Sequence, residues 1–408
     1  MPPPITRSKS PTPIAPDSEQ KLPETLEGQQ SRSKLPPELL RNIVEEVSLS
    51  ISDAKSRNHT LFNLLLTSSD LHREARRLLY RDIIFVQNTT IAGQISDALH
   101  AGAAKYVRSL RVEDFVADTE PRGRSAKTDF LHLPLNLMDG LRSLDLSESP
   151  MRDFSSVAEF LQSSVPANIL LKFSALVPID DDILPFLQQQ KNIQFLSLYR
   201  LEEPSTFLRS PQLMPNLRRL KIYILHDVDF EELLENRPIT VFRFDSFFRL
   251  PNCWSTFAPR LHALDISHSV AGVYDLKKWI EVIATVAINL RLFACFGVSF
   301  NPGAVPTNLP AVFSLLSKLR HLEVLTVSFV ASSIGDLDVM TIPEVVSTPA
   351  QLRSIFVAQR LISESADAAI IHELRHSAEG GWVACRRDGA SRDEWIESSL
   401  RDLGLAYC

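Results

Sequence analysis

The phrase LRRLKI, Leu217 to Ile222, decides how this chain folds, because its apolar residues stand at offsets 0, 3 and 5 with polar residues between them. In an extended strand successive side chains point to opposite faces, so Leu220 and Ile222 share one side while Arg219 and Lys221 take the other. The same spacing returns as VRSLRV at Val107, LRSLDL at Leu141, IQFLSL at Ile193, ITVFRF at Ile239 and LHALDI at Leu261. It continues as LRLFAC at Leu290, LEVLTV at Leu322 and LRSIFV at Leu352, with a weaker copy near Leu171.

Recurrence every roughly 22 to 34 residues marks a solenoid. Between the phrases lie helical patterns such as SSVAEFLQS, VDFEELLENR, DLKKWIEVIATVAI and AVFSLLSKL. Neither a strand nor a helix of this kind buries its apolar side alone, but parallel strands stacked with the helices outside share one continuous core. The expected class is therefore α/β, a curved solenoid over residues 85–408 with parallel strands on its concave face and capping helices at its C-terminal end.

The chain before the repeats reads differently. Residues 1–33 are rich in Pro, Ser, Gln and charge, with too little apolar surface to offset the entropy of ordering, and are expected to form a disordered arm. In LPPELLRNIVEEV, Pro36 and Pro37 suit a helix start, and Leu39, Leu40, Ile43, Val44 and Val47 fall on one face. The stretch TLFNLLLTSSDLHREARRLLYRDIIF predicts two further helices, the second capped by Asp70 and burying Leu71, Ala75, Leu78 and Leu79. Three helices within 34–84 make a core too small for independence, so the unit leans on a neighbour or a partner.

Bulk properties bound the function. A chain of 408 residues with 44 % hydrophobic content can bury a large core, and a net charge of −6 gives no global attraction to nucleic acid or anionic membranes. The run Arg73, Arg76, Arg77 and Arg81 has no interleaved aromatic platform and reads as a solvated helix face. Cys253, Cys295, Cys385 and Cys408 form no CxxC pair, which points away from a disulfide framework and toward a reducing compartment. The N-terminus lacks the apolar core of a signal peptide, so the cytoplasm or nucleus is expected.

The opening LPPELLRNIVEEV, followed by LFNLLLTSSDLHREARRLLYRDI, resembles an F-box of the degenerate form common in fungal F-box proteins. LxxLxL repeats behind it resemble the leucine-rich-repeat substrate receptors of SCF ubiquitin ligases, over most of the remaining chain. The repeats lack the Asn or Cys that closes LxxLxLxxN, holding Ser149, Leu201, Leu225, Ser269 and Val330 there, and SSDLHREARRLL carries no tryptophan. The resemblance implies that Leu35, Pro36, Leu39, Leu40 and Ile43, with Leu61, Leu64 and Leu65, bind the adaptor subunit and through it the cullin. It implies a non-catalytic subunit without cofactor or metal, whose repeats hold a protein substrate.

In each phrase offsets 2, 4 and 6 face away from the core. Read across, they gather Tyr199, Arg219, Lys221, Tyr223 and Arg243 into a basic, aromatic centre suited to an acidic or phosphorylated segment of the substrate. A second reading is a repeat scaffold that binds partners outside any ubiquitin ligase. A third, zinc protease, rests on HELRH, where His372 and His376 on a helix would offer two imidazoles to one metal with Glu373 as base. Arg375 inside that turn, Glu379 where a metzincin needs Gly, the absence of a later His, and the placing of Glu394 and Glu397 on SRDEWIESSL, where Ser391 and Glu394 read as a capping box, argue instead for an outer helix that happens to carry the pattern.

Overall fold

The structure, a computed structural model, describes residues 35–51, 53–87, 89–114, 129–148, 154–179, 182–201, 210, 212–224, 231–244, 253–266, 273–299, 314–331, 351–361, 370–377, 381–387 and 392–406. The arm at 1–33 and Cys408 lie outside the described residues.

A 13-stranded sheet follows the chain in order. Its strands are β1 (Asp82–Gln87), β2 (Ser109–Asp114), β3 (Ser143–Glu148), β4 (Lys172–Ile179), β5 (Phe195–Leu201), β6 (Arg219–Ile224) and β7 (Val241–Phe244). They continue as β8 (Ala263–Ile266), β9 (Leu292–Ser299), β10 (Val324–Ala331), β11 (Ser354–Leu361), β12 (Ile370–His376) and β13 (Trp382–Arg387). Neighbours from β1 to β11 are parallel, and β12 and β13 turn back antiparallel to close the array. This is the sheet of an irregular leucine-rich-repeat-like solenoid.

The phrase explains the core column by column. At offset 0, Val107, Leu141, Ile193, Leu217, Ile239, Leu261, Leu290 and Leu322 are all fully buried, as are Leu220 and Ile222 at offsets 3 and 5 and their counterparts. The weak copy near Leu171 is in frame one residue earlier, with Leu170, Phe173 and Ala175 in the three columns. A copy not foreseen, Tyr80 with Ile83 and Phe85, begins the sheet at β1, so the solenoid starts at Asp82, inside the range expected for the helical unit.

One backbone device recurs at every step. The carbonyl at offset 1 of each phrase accepts two N–H groups of the next: Arg81 from Arg108 and Ser109 at 2.8 and 3.0 Å, Gln194 from Arg218 and Arg219 at 2.9 Å each, and Glu323 from Arg353 and Ser354 at 2.8 and 3.2 Å. Where the repeats lack a closing Asn ladder, the residue just before the phrase supplies one in part. The side-chain amides of Asn192 and Asn289 donate to the carbonyls of Asn168 and Pro259 one repeat back, at 2.7 and 2.8 Å. Buried Arg237 likewise donates to the carbonyls of Leu213, Leu233 and Ser210, and burial pulls its guanidinium down to about 10.

Return segments include helices α4 (Thr90–Ala98), α5 (Phe154–Ser164), α6 (Leu184–Gln189), α7 (Glu231–Glu235), α8 (Trp254–Phe257) and α9 (Val273–Val286). The stretch AVFSLLSKL, expected as a helix, gives in its described part a 3₁₀ turn at Leu315–Lys318. These returns are thicker than the strand spacing of about 4.8 Å, so the strands take the inner side of the curve.

In front of the sheet stand α1 (Pro37–Ser50), α2 (Ala54–Leu65) and α3 (Ser69–Leu79). Their core is Val44, Leu61 and Ala75, with Leu64, Leu65, Leu71, Leu78 and Leu79 packed against it. Ser68, rather than Asp70, caps α3 by accepting from Leu71 N at 3.2 Å. The basic run is not simply solvated, because Glu74 is buried at 4 % exposure and accepts from Arg77 and Arg41 at 3.1 and 3.3 Å, tying α3 to α1.

Burial alone would raise the Glu74 carboxyl, but the hydrogen bonds and charges of Arg77 and Arg41 outweigh it and hold the group below the usual carboxylate range. A carboxylate so depressed contributes stability above its unfolded value, near 4.3 as a rough reference, that is lost as pH falls through its folded value. Glu74→Gln is therefore expected to destabilise α1–α3 at neutral pH. Hydrogen exchange of those helices should show the gap between variant and wild type closing as the pH drops below about 4.

Candidate functional site

The strand face away from the return helices carries offsets 2 and 4, and the parallel registers line these residues into rows. One row runs Ser143, Lys172, Phe195, Arg219, Val241, Ala263, Leu292, Val324. The next runs Asp145, Ser174, Ser197, Lys221, Arg243, Asp265, Ala294, Thr326, Phe356. The first row turns apolar at β7, while the second keeps Arg243 and Asp265 and turns only at β9. Up to β6 the face is polar and basic; from β7 onward it is largely apolar, although it points away from the main core.

What covers the apolar half is the chain's own last helix, α10 (Arg392–Asp402). Trp395, Ile396, Leu400 and Leu403 form a second core with Val241, Ala263, Leu292, Ala294, Val324 and Phe356, and the Trp395 ring stacks on Phe356 at 4.8 Å and 18°. The expected capping helix at the solenoid's end thus lies across the concave face, while the antiparallel pair β12 and β13 does the capping.

Polar anchors fix the helix at its middle and just past its C-terminal end. Arg219 donates to Glu397 through two nitrogens, one of them at 3.0 Å to Oε2. Arg291 donates to the Leu403 carbonyl at 2.9 Å and to Glu323 at 2.6 Å. The Arg219 guanidinium also lies 4.8 Å from the Phe195 ring, whose other neighbour is the Lys172 ammonium at 5.0 Å.

The basic centre read from the sequence is accordingly divided. Arg219 is buried and holds Glu397, and Arg243 is ion-paired with buried Asp265 at 3.0 Å, so neither stands as an open cation. Lys221, 8 % exposed, packs its ammonium 4.2 Å over the Tyr223 ring, and Tyr199 is 38 % exposed. Of these residues Tyr199 is exposed, Tyr223 and the neighbouring Lys172 are half-buried, and Lys221 is buried against Tyr223. Glu397 was missed because SRDEWIESSL reads locally as a capped helix. The available signal was the run of apolar residues at outward offsets from Val241 onward, which required a cover.

HELRH lies on β12, not on a helix. Ile355 pairs with Leu374 and Val357 with His372, so the two histidines share the helix side of the sheet and Glu373 faces the other way. Four residues of strand separate His372 from His376 by about 13 Å, against about 6 Å on a helix, so the pattern does not gather them on one metal. The His376 ring packs edge-on against Trp382, and Arg375 donates to buried Glu373. Among the described residues no group of three or more His, Cys, Asp or Glu side chains is arranged to hold a metal.

On the helical unit Leu35, Leu39 and Ile43 are 49, 48 and 47 % exposed and make a stripe along α1, with Pro36 also exposed and Leu40 half-buried. Leu61 is a core residue, and Leu64 and Leu65 pack against that core, so the contribution expected of α2 falls to its exposed Phe62 and the adjacent Leu66. No described helix is long and apolar enough to cross a membrane.

No family model matches the chain, and no curated protein matches it. Among solved structures, the crystal structure of an internalin from Listeria monocytogenes is similar over 78 % of this chain and 92 % of its own, at 13 % identity and a TM-score of 0.34. The fold assignment rests on the strand ladder rather than on that likeness.

If Glu397 holds Arg219 as described, Glu397→Ala strands a buried guanidinium and is expected to loosen α10 more than Arg219→Ala does. A double-mutant cycle, read as the opening free energy of α10 by hydrogen exchange, should give a favourable coupling on the order of 1 kcal/mol, discounted because Glu397 is partly exposed.

Proposed function

We propose that this chain is the substrate-recognition subunit of an SCF-type ubiquitin ligase, docking the adaptor, and through it the cullin, with the helical unit and a protein substrate with the repeats. The observation that carries the reading is the Leu35, Leu39 and Ile43 stripe, three large apolar side chains left about half-exposed on a helical unit with a very small core. Such a stripe at helical spacing suits a groove on a helical partner. Its resemblance to an F-box sets the kind of partner.

On this reading the protein does no covalent chemistry. It holds the substrate near a ubiquitin-charged enzyme, and the rate follows from effective concentration and geometry, which a rigid repeat array provides. The strip with exposed Tyr199, half-buried Lys172 and Tyr223, and Lys221 packed beneath Tyr223 supplies the types of side chain that most often anchor a protein partner and favours an acidic segment. The inward placement of Leu61, Leu64 and Leu65 favours the second reading, a repeat scaffold acting outside ubiquitin ligases, because it leaves α1 to carry most of the docking surface.

Co-purification distinguishes the two. Wild-type protein is expected to retain the SCF adaptor and cullin, and Leu39→Asp with Ile43→Asp to lose both by at least tenfold while its thermal unfolding stays unchanged, since both side chains are exposed. Failure of the wild type to retain the adaptor would favour the scaffold.

A further inference from the structure

The concave face from β7 to β11 has the build of a receptor groove with a ligand already in it. Its apolar residues serve no part of the solenoid core, which the columns at offsets 0, 3 and 5 close without them; they form a separate cluster whose other half is α10. We propose that this groove binds an amphipathic helix of a partner protein, with aromatic and aliphatic residues on one face and a carboxylate beside them, and that α10 is its intrachain occupant. The inference rests on the concave face being the partner-binding surface.

Three observations carry it. First, α10 has 11 residues, fewer than the roughly 12 to 15 at which an isolated helix holds in water, so it is helical through docking and its release couples to unwinding. Second, the helix presents Trp395, Ser399 and Leu403 with Ile396 and Leu400 as one buried face, and Glu397 meets Arg219 at the groove's basic edge, where Lys221 continues the positive charge. That is a complete description of what the groove recognises, written in the chain's own residues.

Third, the occupant fits imperfectly. Thr326 sits in the row between Ala294 and Phe356, both in the cluster that α10 completes, and its buried hydroxyl has no hydrogen-bond partner. Buried Arg219 Nε is also unsatisfied. Buried polar groups are normally paired, so a helix that reached these two atoms would gain contacts that α10 does not make. The groove also continues toward half-buried Lys172 and Tyr223 and exposed Tyr199, giving an acidic partner a place to engage before α10 leaves.

A fluorescent peptide of residues 390–406 tests this as a ligand in trans. It is expected to bind the full chain carrying Trp395→Ala with Leu400→Ala at least tenfold more tightly than wild type, whose groove is filled. Adding Arg219→Glu to that variant should abolish binding, and a Glu397→Arg peptide should restore it. Hydrogen exchange on wild type provides a readout that needs no variant: amides of α10 are expected to exchange by local opening, faster than those of β8 to β10. Equal peptide binding by both proteins, or α10 amides that exchange only with global unfolding of the sheet, would overturn the proposal. Loss of adaptor co-purification with peptide binding intact would sink the ubiquitin-ligase reading and leave this one standing.

Discussion

Everything in this molecule depends on one carbonyl per repeat. At offset 1 of each phrase it accepts two N–H groups from the next phrase, so each strand is fixed in position by the one before it. Three buried apolar columns then lock the same register from the side-chain direction. A one-residue slip would turn Leu220 and Ile222 out and Arg219 and Lys221 into the core, a cost no local rearrangement offsets.

A fixed register ranks residues of equal offset across the sheet, and that ranking creates the surface. Phe195 meets Lys172 on one side and Arg219 on the other only because β4, β5 and β6 are aligned at offset 2. The same alignment puts Val241, Ala263, Leu292 and Val324 side by side, where single outward apolar residues would have been unremarkable. A continuous apolar row must be covered, and α10 covers it. Residues of the polar half satisfy one another instead, as Arg111 does with Glu113 and Glu148.

Much of this was legible without coordinates. Strands β2 to β11, their order and their inward residues followed from spacing, since period-2 alternation and a recurring phrase are local properties; β1, β12 and β13 did not. Errors arose where a long-range partner decided. HELRH reads as a helix by composition but pairs with β11, whose unpaired edge offers backbone hydrogen bonds that only strand geometry can take. Leu61, which the resemblance assigns to the adaptor surface, is buried at the centre of the three-helix core.

The sequence by itself determined the solenoid, because each LxxLxL phrase specifies its own strand and its own buried columns, and stacking is the way to bury them together. Only the tertiary structure decided which outward residues remain available. Arg219 and Glu397 are 178 positions apart, and no local pattern links them. Their pairing follows from the path of the chain after β13, which returns a short amphipathic helix to the single large apolar area that the rows create among the described residues. Availability of a surface is a property of what else packs on it, and that is settled by the whole fold.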